Sequence, residues 1–140
     1  MKKSNIIILL LIALLAAVIF LSRQGGDVRI VRRDIGESQK YTQEDIESAM
    51  DVVEHRFKKE FDGCTLISLT YDETRSDRSA DGWKENYGAD EAIVLLSRFY
   101  VDKSGGDGSL NPESYYDNWQ WILTRNAGGK WQLQTWGYGL

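Results

Sequence analysis

Large apolar and polar side chains alternate near the C-terminus of the chain, on both sides of a short segment that contains Gly128 and Gly129. Alternation with a period of two is typical of strands that bury one face, and glycine supplies the positive φ of a tight bend. The stretch from Asn118 to Tyr138 therefore predicts an antiparallel β-hairpin, and we expect the rest of the domain to be organised around it.

Two registers of this hairpin fit the pattern, and they differ in loop length. A loop of three or five residues places on one face the set Trp119, Trp121, Leu123, Trp131, Leu133 and Thr135. A loop of four residues instead groups Ile122 and Leu133 with polar side chains and opposes Trp119 to Trp136, because a shift of one residue moves every side chain of a strand to the other face. We favour the first register because it separates apolar from polar side chains more completely.

A pattern with helical spacing begins after Tyr41. Apolar residues recur every three or four positions from Ile46 to Phe61, and at about 100° per residue they form a single stripe. Thr42 is a preferred N-cap residue, and Asp45 stands where a capping box needs an acid. The pattern predicts an amphipathic helix that starts after Thr42 and ends at residues 62–63.

Two more strands are predicted between this helix and the hairpin. Residues 64–71 are rich in β-forming residues, and residues 91–101 are nearly continuous in apolar side chains, which is typical of a central strand. The polar residues 74–90 and 103–114 predict two long loops. One helix followed by four strands predicts an α+β fold, with one long helix packed on a curved four-stranded antiparallel sheet.

The N-terminal part of the chain is apolar. An uninterrupted apolar run extends from Ile6 to Leu21 after two lysines, and no A-x-A cleavage pattern lies near its end. We interpret residues 1–23 as an uncleaved signal anchor or transmembrane helix, residues 24–40 as a linker and residues 41–140 as the domain. This predicts a single-pass protein of the cell membrane with an extracytoplasmic C-terminal domain and with the membrane as a partner.

Composition narrows the range of partners. The chain has 17 basic and 21 acidic residues and a formal net charge of −4, which argues against a nucleic-acid partner. Cys64 is the only cysteine, so the chain has neither an intramolecular disulfide nor a cysteine after the apolar run that would accept a lipid. Five Trp, seven Tyr and four Phe predict an aromatic core.

No set of residues forms a catalytic constellation, so we predict no catalytic residue, no cofactor and no metal site. His55 lies opposite the apolar stripe of the helix and is expected to face solvent, whereas Cys64 is expected to be a buried thiol without a base beside it. Residues 102–113 have an acid at the first and twelfth positions but lack the central ligand and glycine of a calcium loop, so they predict a turn. The carboxylates at predicted strand ends are expected to be solvated: Asp72, Glu73, Asp90 and Glu91.

Aromatic side chains are the remaining candidates for a binding site, because planar rings at an open end of a sheet stack on sugar or peptide ligands. Most rings of so small a domain are expected in its core. Trp136 and Tyr138, predicted on the face opposite Trp131 and Leu133, are the ones that we expect to stay exposed. Together with Trp83 they form the predicted ligand-binding set.

Two functions from different classes fit the sequence. The first is a membrane-anchored, extracytoplasmic binding or protein-interaction module without catalysis, whose partner is an unidentified protein or small ligand and which forms a homodimer through its sheet. The alternative is a small hydrolase or isomerase that uses carboxylates such as Asp90 or Asp117 in a sheet-lined pocket. An open cavity lined by acids with raised pKa values would favour the enzyme, and a sheet face covered by the helix would favour the module.

Four segments of the domain are distinctive: YTQEDIESAMDVV, FDGCTLISLTYDE, ADEAIVLLSRF and GSLNPESYYDNWQWILTRNAGGKWQLQTWGY. Together they resemble a family of uncharacterised exported domains of Gram-positive bacteria with a cystatin-like or nuclear-transport-factor-2-like fold, and the likeness covers residues 41–138. The resemblance implies a fold and an export context. It implies no activity, and no functional residue follows from it.

Overall fold

The computed structural model describes residues 2–22 and 25–140 of the chain. This part contains three helices and five strands, in the order α1 (Lys3–Ser22), β1 (Arg32–Ile35), α2 (Gln43–Glu60), β2 (Cys64–Tyr71), α3 (Glu73–Tyr87), β3 (Glu91–Val101), β4 (Ser114–Arg125) and β5 (Gln132–Gly137). Met1 and Arg23 of the predicted anchor and Gln24 of the predicted linker lie outside the described residues.

The strands form one five-stranded sheet in the order β1-β2-β3-β4-β5. β1 runs parallel to β2, and the other neighbouring pairs are antiparallel. The fold is α+β, but the predicted arrangement of one long helix on a four-stranded antiparallel sheet is wrong. The sheet is mixed, and two helices of 18 and 15 residues, α2 and α3, pack on it.

Helix α2 agrees with the pattern that predicted it. The Thr42 side chain accepts a hydrogen bond from the Asp45 N–H at 3.1 Å, and the Asp45 carboxylate accepts one from the Thr42 N–H at 3.3 Å, which completes the capping box. The predicted apolar stripe is buried, with Val53 and Phe57 fully enclosed. His55, on the opposite side of the helix, is exposed as expected.

Helix α3 occupies the segment that was predicted to be a loop. Asp72 caps its start by accepting a hydrogen bond from the Arg75 N–H at 2.9 Å, and Gly88 ends it in the left-handed conformation with φ 59°. Only Ser76 and Ala80 of this helix are buried. Because two small side chains suffice for the contact, the segment shows no apolar stripe, and hydrophobic periodicity missed the helix.

Strand β3 is the centre of the sheet, as its apolar sequence predicted. Its side chains alternate between two covered faces: Ile93 and Leu95 belong to the main core with α2, whereas Val94 lies under α3. The Val94 N–H donates to the Ser76 hydroxyl of α3 at 3.0 Å in a buried position. A helix therefore covers part of each face of the sheet.

The hairpin of β4 and β5 pairs Leu123 with Leu133, in agreement with the favoured register. Next, however, Ile122 pairs with Thr135 and Trp121 with Trp136, because a β-bulge at Gln134 adds one residue to β5. Beyond the bulge, the faces of β5 are therefore exchanged relative to the prediction. Thr135 leaves the core face and Trp136 joins it.

The segment treated as a linker belongs to the sheet. It contains β1, and upstream of β1 the Asp27 backbone makes an isolated parallel bridge with Thr65. Gly25 and Gly26 press against the end of α2: a Cβ on Gly25 would lie 2.0 Å from the Lys58 carbonyl oxygen. These glycines permit a close backbone approach, which in a sequence looks the same as flexibility.

Among the described residues, no helix is long and apolar enough to cross a membrane. The prediction that residues 1–23 form a single-pass anchor, which placed the domain outside the cell membrane, is therefore wrong. The apolar run from Ile6 to Leu21 has 16 residues. At about 1.5 Å per residue these reach about 24 Å, less than the roughly 30 Å of a bilayer's hydrocarbon core.

Candidate functional site

The three residues of the predicted ligand-binding set do not come together. Trp83 lies on α3, where its ring stacks on Tyr87 with the centroids 6.1 Å apart. Trp136 lies on the α2 side of the sheet, where it stacks on Trp121 at 5.9 Å. Tyr138 is 52% exposed and contacts Trp119 edge to face at 5.1 Å. Trp136 and Tyr138 thus share one aromatic region, and Trp83 lies apart from it.

The expectation that Trp136 would face away from Leu133 is wrong, because the bulge at Gln134 turns the ring toward α2. Trp136 is partly buried against the core, and Phe61 packs against it at 6.2 Å. It therefore does not project freely into solvent, as a simple stacking platform would. Instead it forms one wall of a cleft.

This aromatic cleft has a volume of about 210 Å³ and lies between the end of α2, the loop before β4, and the two strands of the hairpin. Its walls combine rings and carboxylates in a small space. The residues used in the argument below are Glu60, Phe61, Asp62, Asp107, Trp119 and Trp136.

Three rings form the apolar wall of the cleft. Phe61 follows the last turn of α2, and its ring meets Trp119 edge to face at 6.5 Å with an interplanar angle of 89°. Trp119 and Trp136 come from the two neighbouring strands of the hairpin. Backbone pairing and the capped end of α2 therefore position the rings before any ligand binds.

The acidic side of the cleft consists of Glu60, Asp62 and Asp107. Asp107 accepts a hydrogen bond from the Ser109 N–H at 2.9 Å and another from the Ser109 hydroxyl, and these bonds lower the pKa of its carboxyl. The Asp62 carboxylate accepts a hydrogen bond from the Gly25 N–H. Since Asp107 is ionised at neutral pH, the cleft presents a negative field beside its rings.

One cation of the protein lies against two residues of this cleft, although it does not itself line the cavity. The Arg56 guanidinium lies over the Trp136 ring, 5.4 Å from its centroid, and pairs with the Glu60 carboxylate at 3.4 Å. The side chains of Arg56 and Glu60 are 37% and 44% exposed, so this pair is weak and exchangeable. The arrangement shows that the Trp136 ring and the Glu60 carboxylate together favour a positive charge.

One residue of the cleft also carries a buried polar atom without a partner. The Nε1 atom of Trp119 is buried, and no hydrogen-bond acceptor for it exists in the described part of the chain. A buried donor without an acceptor costs about 1 to 3 kcal/mol.

The candidate catalytic groups are dispersed. Asp90 accepts a hydrogen bond from the Ala127 N–H at 2.9 Å, beside one end of β4, while Asp117 pairs with Arg98 at 3.3 Å near the other end. Burial raises the pKa of the Cys64 thiol to about 12, so this side chain is no nucleophile at neutral pH. The carboxylates Asp90 and Asp117 thus share no pocket.

The loop that contains Asp102 and Asp107 is built from turns. Asp102 accepts a hydrogen bond from the Ser104 N–H at 2.8 Å, and Asp107 makes the equivalent bond with Ser109. Within residues 2–22 and 25–140, no three His, Cys, Asp or Glu side chains are grouped so that they would hold a metal ion. Both acids therefore stabilise the loop conformation, and Asp107 also contributes to the charge of the cleft.

Larger cavities exist, but they lack this combination of groups. One of about 1020 Å³ lies around Asp27, Thr65 and Asp102, and one of about 490 Å³ lies between β1 and the start of α2. Neither has more than one aromatic side chain among its lining residues, Tyr100 in the first and Tyr41 in the second. The aromatic cleft is the strongest candidate because it offers both shape and charge.

Comparison with known proteins gave no match: no protein-family model, no curated protein and no solved structure is similar to this chain. The resemblance to exported domains of Gram-positive bacteria therefore stays a prediction.

Sequence reasoning missed the cleft because it is assembled from distant segments. Phe61 was assigned to the helix stripe and Trp119 to the hairpin core, and Asp107 was part of a turn-rich loop. The bulge at Gln134, which brings Trp136 to them, left no recognisable trace in the sequence. The useful signal was the number of tryptophans in the hairpin: Trp119, Trp121, Trp131 and Trp136.

Proposed function

We propose that this protein is a binding module without catalytic activity, and that its aromatic cleft takes a positively charged group of a ligand or partner. The observation that carries this proposal is the pairing of Trp119, Trp136 and Phe61 with three carboxylates in one small cavity. A cation over an aromatic ring gains about 0.5 to 2 kcal/mol, depending on its desolvation. Nearby carboxylates add attraction that salt weakens.

The Arg56 side chain supports this assignment from within the protein. Its guanidinium lies over Trp136 and beside Glu60, so two groups of the cleft already interact with a cation. A ligand with a better placed cation would displace it, since both side chains of the pair reach solvent. Arg56 is thus a weak internal competitor for the site.

The geometry also supports a module over a hydrolase or isomerase. A general acid at neutral pH needs a carboxyl with a raised pKa, whereas the shifts in Asp27, Asp45, Glu73, Asp81, Asp102 and Asp107 all lower the pKa. Helices cover part of each face of β3, and the cavity that remains on the α3 side, about 240 Å³ beside Val94, Leu96 and Gln120, has Asp72 as its one acidic lining residue.

Titration of the full chain with Nα-acetyl-arginine amide, followed by tryptophan fluorescence, tests the proposal. We expect saturable binding that weakens with added salt, and no binding of Nα-acetyl-norleucine amide, which has a similar apolar stem but no charge. The double variant E60Q/D107N should bind the arginine compound several-fold more weakly, since it lacks two of the three carboxylates. The control is E85Q, which removes an exposed charge from α3 and should bind like the wild type.

The variant R56Q should change the affinity for Nα-acetyl-arginine amide in the opposite direction. Removal of the internal competitor should strengthen binding of Nα-acetyl-arginine amide, because Trp136 and Glu60 are then free for the ligand. Equal binding of the charged and uncharged compounds, or no binding by wild type and R56Q alike, would contradict the proposed function.

A further inference from the structure

The two edges of the sheet differ in their protection. Edge strands expose unpaired N–H and C=O groups, and proteins commonly blunt them with short strands, charged side chains or proline. β1 follows this rule, because it has four residues, three of which are Arg32, Arg33 and Asp34. β5 has six residues, QLQTWG, without a charge or a proline. The edge formed by β5 is therefore open to pairing.

The outer side of β5 has no backbone partner in the part of the chain that the structure describes. The one irregularity is the bulge at Gln134, whose side-chain amide turns inward and donates to the Thr124 hydroxyl at 2.9 Å. After the bulge, residues 135–137 pair regularly with β4. This last part of β5 is the part that carries Trp136.

The open edge and the aromatic cleft share that residue. Trp136 belongs to β5 by its backbone and to the cleft by its ring. An extended segment that pairs with β5 would place alternate side chains on the α2 side of the sheet, next to Trp136. A basic side chain at that point would lie beside Trp136, which lines the cleft together with Glu60, Asp62 and Asp107.

We propose that β5 binds an extended basic peptide segment by strand addition, with one arginine or lysine side chain in the aromatic cleft. This inference rests on the proposed function and names its partner class. Main-chain hydrogen bonds to the β5 edge supply affinity that is independent of sequence, and the cleft supplies the preference for a cation.

Charge complementarity favours a foreign basic segment over a second copy of this chain that pairs through its own β5. β5 contains no basic residue, so a β5 strand from a second copy would bring no cation to the cleft. The chain is acidic, with a formal net charge of −4, and two copies would approach with like charge. The homodimer expected from the sequence is thus one outcome of the test.

The test uses the full chain and a seven-residue peptide of alternating threonine and valine with a central arginine. Calorimetry should show at least tenfold tighter binding of this peptide than of Nα-acetyl-arginine amide. Two further peptides carry N-methyl groups, one on the odd-numbered and one on the even-numbered amides. Only one of the two sets of N–H groups can face β5, so one peptide should lose the tenfold gain and the other should keep it.

The outcomes separate this inference from the proposed function. If the peptide binds no tighter than Nα-acetyl-arginine amide, or if both methylated peptides bind like the parent, strand addition is wrong and the cationic cleft remains. If neither the peptide nor the single amino acid binds, both proposals fall. A dimer that the peptide dissociates would assign the edge to a second copy and overturn the choice of partner.

Discussion

Arg125, at the end of β4, offers the sharpest test of how the domain is held together. Its side chain is 11% exposed and bonds two carboxylates from different elements, Asp45 of α2 at 2.9 Å and Glu91 of β3 at 2.7 Å. The guanidinium also lies 4.2 Å from the centroid of the Trp131 ring. One side chain therefore joins the start of α2 to the centre of the sheet and to the residue just before β5.

The substitution R125M removes the positive charge and the N–H donors of the guanidinium, while it keeps most of the apolar part of the side chain. Loss of one partner from a buried ion pair costs about 3 to 5 kcal/mol. The carboxylates of Asp45 and Glu91 are 33% and 30% exposed, so water compensates them in part. We expect the free energy of unfolding to fall by about 2 to 3 kcal/mol, which is less than the loss of a fully buried pair and more than the loss of an exposed one.

Urea denaturation at pH 7 measures this change, and R98M is the control. Arg98 has the same kinds of contact, an ion pair with Asp117 at 3.3 Å and a ring, Tyr115, at 4.4 Å, but its side chain is 47% exposed. Its loss should cost less than about 1 kcal/mol. Equal losses in the two variants would refute the argument that burial makes the Arg125 contacts strong.

The same pair makes a prediction about pH. The hydrogen bond from Arg125 lowers the pKa of Asp45 below its ordinary value of 3.8. A group with a lowered pKa in the folded state stabilises the protein above its unfolded-state pKa, and this stabilisation is lost as the pH falls through the folded value. The difference between wild type and R125M should therefore be constant above about pH 5 and shrink below pH 3.8.

Two further predictions concern buried polar atoms. S76A should lower the free energy of unfolding by about 1 to 3 kcal/mol, because it leaves the buried Val94 N–H without its acceptor at 3.0 Å. The control T74A, on the exposed side of α3, should change the free energy of unfolding by less than about 0.5 kcal/mol in the same urea experiment. Equal effects of the two substitutions would contradict the proposed role of α3. Iodoacetamide should label Cys64 at pH 8 only in denaturant, since burial raises the pKa of the thiol to about 12 and leaves the residue 2% exposed. Mass spectrometry measures the labelling. Rapid labelling of the native protein would contradict this prediction and would show that the core around β2 opens.

Local patterns in the sequence predicted the elements that follow from short-range rules. The capping residues Thr42 and Asp45, and the stripe that includes Phe57, specified α2, because capping and amphipathicity act within a few residues. The continuous apolar run of β3 specified a central strand. Alternation in the hairpin specified the pairing of Leu123 with Leu133.

Elements stabilised by contacts between distant residues escaped prediction. Helix α3 needs only Ser76 and Ala80 against the sheet, so its sequence resembles a polar loop. β1 is too short and too charged to be recognised without its parallel neighbour β2. The bulge at Gln134 depends on the fit of two strands, and it reversed the orientation of Trp136.

The sequence by itself therefore determined an α+β domain with an aromatic core, a capped amphipathic helix and a buried thiol. Only the tertiary structure decided that the sheet is mixed and five-stranded, that α3 covers part of its second face, and that Phe61, Asp107, Trp119 and Trp136 enclose one cleft. The physical reason is the range of the interactions along the chain. Propensity and periodicity describe residues that are close in sequence, whereas a binding site depends on side chains that only tertiary packing brings together.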